Sequence, residues 1–142
     1  NKAKHGQYFL GRKLRLGAYG DPASVPFNVW KAPLSLAVGH TGYTHQIRHP
    51  NFDKRYLSIC QVSADTPKQA IAYQKLGAKT FRVALDGDQL LDGEEICLSE
   101  TVGTQCQDCL LCDGSKQNIA IAVHGSRKSK FKSNLIPTKA VV

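Results

Sequence analysis

The stretch from Tyr56 to Leu85 constrains the fold more than any other part of the chain. Tyr56 to Val62 is nearly continuous in apolar residues, the pattern of a strand buried on both faces, as in a parallel sheet. Thr66-Pro67-Lys68-Gln69 reads as a helix start. Thr66 can cap it, Pro67 suits the first helical position, and Gln69 completes a capping box. Ala70, Ile71, Tyr73 and Leu76 form the expected buried stripe, and Gly77 is the expected stop. Thr80 to Leu85 then forms a further strand. Strand, helix and strand within about 30 residues make a βαβ unit with a right-handed crossover.

The remaining segments fit the same class. Lys13 to Tyr19 reads as a strand, broken by Gly20-Asp21-Pro22. Phe27, Trp30, Leu34 and Val38 give helical spacing over 25–38, with a kink or a division into two short helices expected at Pro33 and an end at Gly39. Thr41 to Arg48 is rich in β-branched and aromatic residues and reads as a strand. Asp86 to Glu95 reads as an acidic loop, and Asn118 to His124 as a last buried strand. The expected fold is α/β, a mostly parallel sheet of about five strands built from βαβ units, with a cysteine-rich metal-binding loop. Residues 1–125 form a single domain with its cysteine cluster at 97–112, and residues 126–142 form a basic C-terminal tail.

The cysteines name a chemistry. Cys97, Cys106, Cys109 and Cys112 are spaced C-x8-C-x2-C-x2-C, and the intervening loop contains Gly103 and polar residues, so it can bend. Four thiolates close a tetrahedral zinc site or hold a [4Fe–4S] cluster. The C-x2-C-x2-C run is the ferredoxin pattern, whereas structural zinc more often takes two separated C-x2-C pairs, so the spacing leans toward the cluster. The plain alternative is a disulfide or scattered buried thiols. Cys60 lies in the apolar run before Gln61 and reads as a core residue and not a ligand.

No apolar run of roughly 18 residues is present, so no membrane-spanning helix is expected. The opening Asn1-Lys2-Ala3-Lys4-His5 is polar and lacks a signal-peptide pattern, and the first residue is not Met. The chain therefore reads as a piece of a longer product in a cytoplasmic setting, where thiolates bind metal more often than they pair.

The net charge of +8 is divided unevenly. Residues 1–55 hold nine Lys and Arg against two Asp, residues 56–115 hold four against nine acidic residues, and residues 116–142 hold six and no acid. Basic ends around an acidic middle suit a polyanion such as DNA or RNA, or simply a solvated surface. Arg127, Lys128, Lys130 and Lys132, with Phe131 among them, are the candidate nucleic-acid contacts, phosphate-binding cations beside one stacking ring.

Ligands of parallel α/β folds gather outside the carboxyl ends of strands. That rule singles out Asp21, His45 and His124 as a candidate acid–base set, with Gln46, Ser63 and Asp65 nearby. Each also has an ordinary role at a turn or strand end. Gly17-Ala18-Tyr19-Gly20 lacks the features of either phosphate-binding glycine loop, and the chain has no Gly-x-Ser-x-Gly elbow and no His-Glu-x-x-His.

Four stretches carry a resemblance: Leu14 to Pro22 with Val25-Pro26; Thr41-Gly42-Tyr43-Thr44-His45-Gln46; Ser63 to Thr66 leading into Gly77 to Val83; and the cysteine set with Ala122-Val123-His124-Gly125. Together they resemble a family of uncharacterised phage and bacterial cysteine-cluster α/β proteins, over roughly residues 11–125. The resemblance assigns no reaction. It implies a further cysteine-rich segment upstream in the same product, as a partner to this chain, and a larger, barrel-like α/β protein with two cysteine clusters. Two such clusters suggest radical, S-adenosylmethionine-dependent enzymes, but this chain lacks the Cys-x3-Cys-x2-Cys loop that chemistry uses. The sequence therefore leaves three readings: a metal- or cluster-bearing protein associated with nucleic acid, an enzyme with an acid–base pocket at the carboxyl edge of its sheet, and a structural zinc module in an assembly.

Overall fold

The computed structural model describes residues 6–85 and 87–123. His124 and the basic residues Arg127, Lys128, Lys130 and Lys132 lie outside the described residues. The architecture is α/β, and every strand pairing is parallel. Strands β1 (Lys13–Arg15) and β2 (Gly39–Thr41) form a two-stranded sheet. Strands β3 (Tyr43–Thr44), β4 (Gln61–Ala64), β5 (Thr80–Ala84), β6 (Glu94–Ile96) and β7 (Asn118–Ala122) form a five-stranded sheet in the order β3-β4-β5-β7-β6. Helix α1 spans Asn28–Leu36 and α2 spans Pro67–Lys75. Among the described residues no helix is long and apolar enough to cross a membrane.

A βαβ unit forms, and its helix starts where the sequence predicts. The Thr66 hydroxyl accepts from the Gln69 amide at 3.2 Å, Pro67 opens the helix, and Gly77 follows it at φ +85°. The Gln69 side chain reaches one residue further back than an ordinary capping box and accepts from the Asp65 amide at 2.8 Å. The buried stripe is narrower than the periodicity predicts. Ala70 is buried, but Ile71 and Leu76 are exposed, and Gln74 turns inward to donate to the Thr80 hydroxyl at 2.8 Å.

Several strands are shorter than expected, for identifiable reasons. The first spans only Lys13–Arg15: Leu16 still donates to the Thr41 carbonyl at 2.8 Å, and Gly17 at φ +69° then turns the chain. The expected strand Thr41–Arg48 breaks at Gly42 and again after Thr44. Gly42 gives its amide to the Cys112 carbonyl (2.9 Å) and its carbonyl to the Gln61 amide (2.9 Å). Beyond it, the Thr44 hydroxyl accepts from the Gln46 amide at 3.1 Å and starts a 3-10 turn over Gln46–Arg48.

The apolar run from Tyr56 is also not a strand at first. Asp53 caps a 3-10 turn over Lys54–Ser58, and the strand begins only at Gln61. This turn buries Tyr56 with Leu16, Ile59 and Cys60 in a core cluster that Phe27, Trp30, Leu34 and Phe52 pack against. Burying each large apolar side chain contributes about 1.5–3 kcal/mol, so this cluster holds the β1–α1 half onto the sheet. The acidic loop 86–95 hides an edge strand, β6. Only three residues long, two of them glutamate, it leaves little strand signal in the sequence.

The five-stranded sheet has two distinct faces. Thr44, Val62, Thr80, Arg82 and Ala120 point to one face and are all buried, with α2 lying over β4 and β5. By register, Tyr43, Ser63, Phe81 and Ile121 share the other face. They are half-buried, and the cysteine segment stands over them.

Candidate metal centre

The segment 97–116 is short of regular structure, and a few specific contacts fix it. Cys97 follows β6 directly, and its amide donates to the Ala120 carbonyl at 2.8 Å, which continues the ladder onto β7. A single helical turn, Leu98–Thr101, comes next, and Glu100 accepts from the Ala122 amide at 2.8 Å. A second turn, Cys106–Cys109, ends at Leu110 in the left-handed conformation (φ +54°), which reverses the chain toward Cys112. Asp113 then locks the exit. Its Oδ1 accepts from the Ser115 amide (2.8 Å) and hydroxyl, and its Oδ2 pairs with the Lys116 ammonium at 2.9 Å.

Glycines and a histidine dock this segment. A Cβ at Gly39 would collide with Leu110, and one at Gly114 (φ +90°) would collide with the Cys60 backbone. His40 Nε2 lies 3.1 Å from the Ile59 carbonyl and 3.2 Å from the Asp113 carbonyl. Two carbonyl partners mean that this nitrogen carries the proton and donates to both. Together with the Gly42–Cys112 bond, these contacts seat Cys112 against the β2–β3 junction.

All five cysteines are free thiols, so the disulfide alternative is not realised here. Cys97, Cys106, Cys109 and Cys112 all line one cavity of about 650 Å³ between the segment and the sheet face. Cys60 is fully buried and not among its lining residues. Burial pushes the Cys112 thiol up to about 11, the Tyr43 hydroxyl bonded to it pulls it down, and charge on Cys97, Cys109 and Cys106 adds to the rise. Burial likewise raises Cys97, with smaller contributions from Cys106 and Cys109. The four sulfurs therefore lie within electrostatic range of one another. They do not close on a point: among the described residues, no three His, Cys, Asp or Glu side chains are grouped tightly enough to hold one metal ion.

The far wall of the cavity is the half-buried sheet face. The Tyr43 and Phe81 rings meet edge to face at 4.9 Å, and the Arg15 guanidinium lies 5.8 Å from the Tyr43 ring centre. Ser63, Ile121 and His45 also line it. Burial, followed by the neighbouring Cys112 thiol, raises the Tyr43 hydroxyl well above the ordinary phenol range, so it stays protonated and donates.

Of the carboxyl-edge residues, Asp21 and His45 are brought together through the backbone. Asp21 Oδ1 accepts from the Ala23 amide at 2.9 Å and Oδ2 from the His45 amide at 2.7 Å. Asp21 thus caps the 3-10 turn Pro22–Ser24 with one oxygen and holds the end of β3 with the other. His45, not Asp21, is among the residues that line the cavity. Gln46 bonds Ser24 at 3.3 Å, away from the thiols. Sequence reasoning missed Arg15, His40, Phe81 and Gly114. Ser63, Phe81 and Ile121 lie on three different strands, and only the pairing register shows that they share a face with Tyr43.

No known family profile matches this chain, and no curated protein and no solved structure is similar to it.

Proposed function

We propose that this chain binds a [4Fe–4S] cluster through Cys97, Cys106, Cys109 and Cys112. One observation carries this reading: all four thiols are free and line a single cavity. Four thiols around one chamber are the donor set that a [4Fe–4S] cluster takes. The C-x2-C-x2-C run supports the same choice. The Tyr43 hydroxyl beside Cys112 would donate to a ligand sulfur, one of the levers by which proteins set a cluster's potential.

Around this centre we infer a protein of the phage and bacterial type that its motifs resemble, in which the chain completes a larger, barrel-like α/β body with an upstream cysteine-rich segment. The basic ends support association with DNA or RNA. Anaerobic purification followed by iron, sulfide and zinc analysis tests the centre. A brown protein with near-equal iron and acid-labile sulfide, bleached by dithionite, is expected. A colourless protein with one zinc would replace this reading with the structural zinc module, and a metal-free protein that refuses reconstitution would end both.

The enzyme reading keeps one supporting observation, His45 among the residues of the cavity wall. It draws less from Asp21, whose two oxygens already serve backbone amides.

A further inference from the structure

The cavity is larger than its thiol wall requires. At about 650 Å³ it falls within the size range of small-molecule sites, roughly 300–1,000 Å³. The sheet side carries the makings of such a site: the Phe81 and Tyr43 rings and Ile121 for apolar or planar surface, and Ser63 and His45 as polar groups. Arg15, an exposed residue, also lines it. A second cavity of about 410 Å³ shares Arg15, Thr41, Cys106 and Leu110 with the first, and adds Lys13, Gln105 and Gln107.

The charges at this junction are uneven. Lys13 pairs with Asp108 at 3.4 Å, with both side chains largely exposed. Arg15 makes no ion pair among the described residues and stacks over the Tyr43 ring. A guanidinium held over a ring still presents its N–H fork, whose spacing matches carboxylate and phosphate oxygens. An aromatic floor, hydroxyl and imidazole groups and one uncommitted fork form a recognition set for a molecule with two unlike ends.

We propose that the cavity beside the thiols is a binding chamber for a small organic anion, a carboxylate or phosphate monoester on an apolar or planar body, with Arg15 as the anchor of the charged group and Phe81 and Ile121 as the seat of the body. The inference rests on the cluster reading for the chemistry such a ligand would meet, but not for its binding. It makes the protein a ligand-binding one, in contrast to a purely structural metal module.

The test uses matched probes that share a body and differ in the anionic group: adenosine monophosphate against adenosine, and 3-phenylpropionate against 3-phenylpropanol. Binding is measured by calorimetry on wild type, Arg15→Gln and Arg15→Lys, with iron and sulfide determined on the same samples. In wild type, at least one anion should bind about tenfold or more tightly than its neutral partner, as expected for one charge-assisted bond pair. The favoured pair identifies phosphate or carboxylate. Arg15→Gln should abolish the difference with iron content unchanged, and Arg15→Lys should restore part of it. Equal binding of both members of each pair, or a preference that survives Arg15→Gln, overturns the chamber. Absence of iron together with an Arg15-dependent preference would instead remove the cluster and leave the chamber standing.

Discussion

Arg82 on β5 and Glu94 on β6 form a two-pronged ion pair across an intervening strand, Nε to Oε1 at 2.8 Å and a terminal nitrogen to Oε2 at 2.7 Å, with both side chains fully buried. The strand between them is β7, and the residue facing Arg82 on it is Ala120. That small side chain leaves room for the guanidinium to pass. The other terminal nitrogen of Arg82 pairs with Asp88 at 3.1 Å, and the Gln89 carbonyl accepts from the guanidinium at 3.1 Å. The whole loop into β6 is thus fastened to one side chain, three residues before Cys97.

Removing one half of a buried pair strands the other, at a cost of about 3–5 kcal/mol. Arg82→Ala should therefore lower the denaturant midpoint sharply and reduce iron incorporation by loosening Cys97. The double variant Arg82→Met, Glu94→Leu should recover much of the stability, because neither charge then remains to be desolvated. Urea unfolding of the three proteins checks this. A single variant as stable as wild type would show that the pair does not hold β6.

Cys60 separates ligand from core. Cys60→Ala should leave iron content unchanged and cost about 1–2 kcal/mol, whereas Ser at any of the four proposed ligands should lower the iron content. A pH signature distinguishes the residue further. Burial raises the Cys60 thiol from 9.0 to about 12. The folded state therefore keeps this proton after the unfolded chain has begun to lose it. The stability it contributes is complete below about pH 9 and is lost as pH rises toward 12. Unfolding midpoints measured at about pH 8 and about pH 11 should fall further in wild type than in Cys60→Ala. Parallel decline would mean that other groups, Cys112 among them, dominate the alkaline loss.

For nucleic acid, weak binding that falls steeply with salt is expected from the full chain. Neutralising Arg127, Lys128, Lys130 and Lys132 together should flatten the slope of log affinity against log salt by about 3–4, if each contacts one phosphate. Filter binding to single-stranded and duplex DNA across a salt series measures it. Failure of the wild-type chain to bind at low salt would reduce the basic ends to solvation.

How much of this was legible in the sequence follows from range. The α2 unit was readable because its signals are local: Thr66, Pro67, Gln69 and Gly77 act within a dozen residues. The thiols were readable because their spacing is a chemical motif. Gly42 was not, since what breaks the strand there is a carbonyl seventy residues away, at Cys112. Strand β6 escaped because a three-residue acidic edge is specified by Arg82 and β7 and not by its own propensity. Tyr56 read as a strand residue because apolar runs do not announce whether they are buried in a sheet or in a turn. The cavity wall needed the register of four strands, which no single segment contains.

Gly114 offers the sharpest test of how the thiols are placed. It sits at φ +90°, where side chains are strained, and its missing Cβ lets the chain lie directly on the backbone of Cys60. Strain alone at such a position costs about 1–3 kcal/mol. The blocking atoms here are backbone and cannot swing aside, so Gly114→Ala must shift the segment as well. The shift acts on Asp113 and Cys112, which the His40 and Gly42 contacts otherwise hold in register. The variant should unfold at lower denaturant and bind substoichiometric iron. Gly103→Ala provides the control. It also has positive φ, but nothing lies within 4 Å of its added Cβ, so it carries the strain without the collision. If Gly114→Ala loses no more iron than Gly103→Ala, the close packing on Cys60 does not position the ligands.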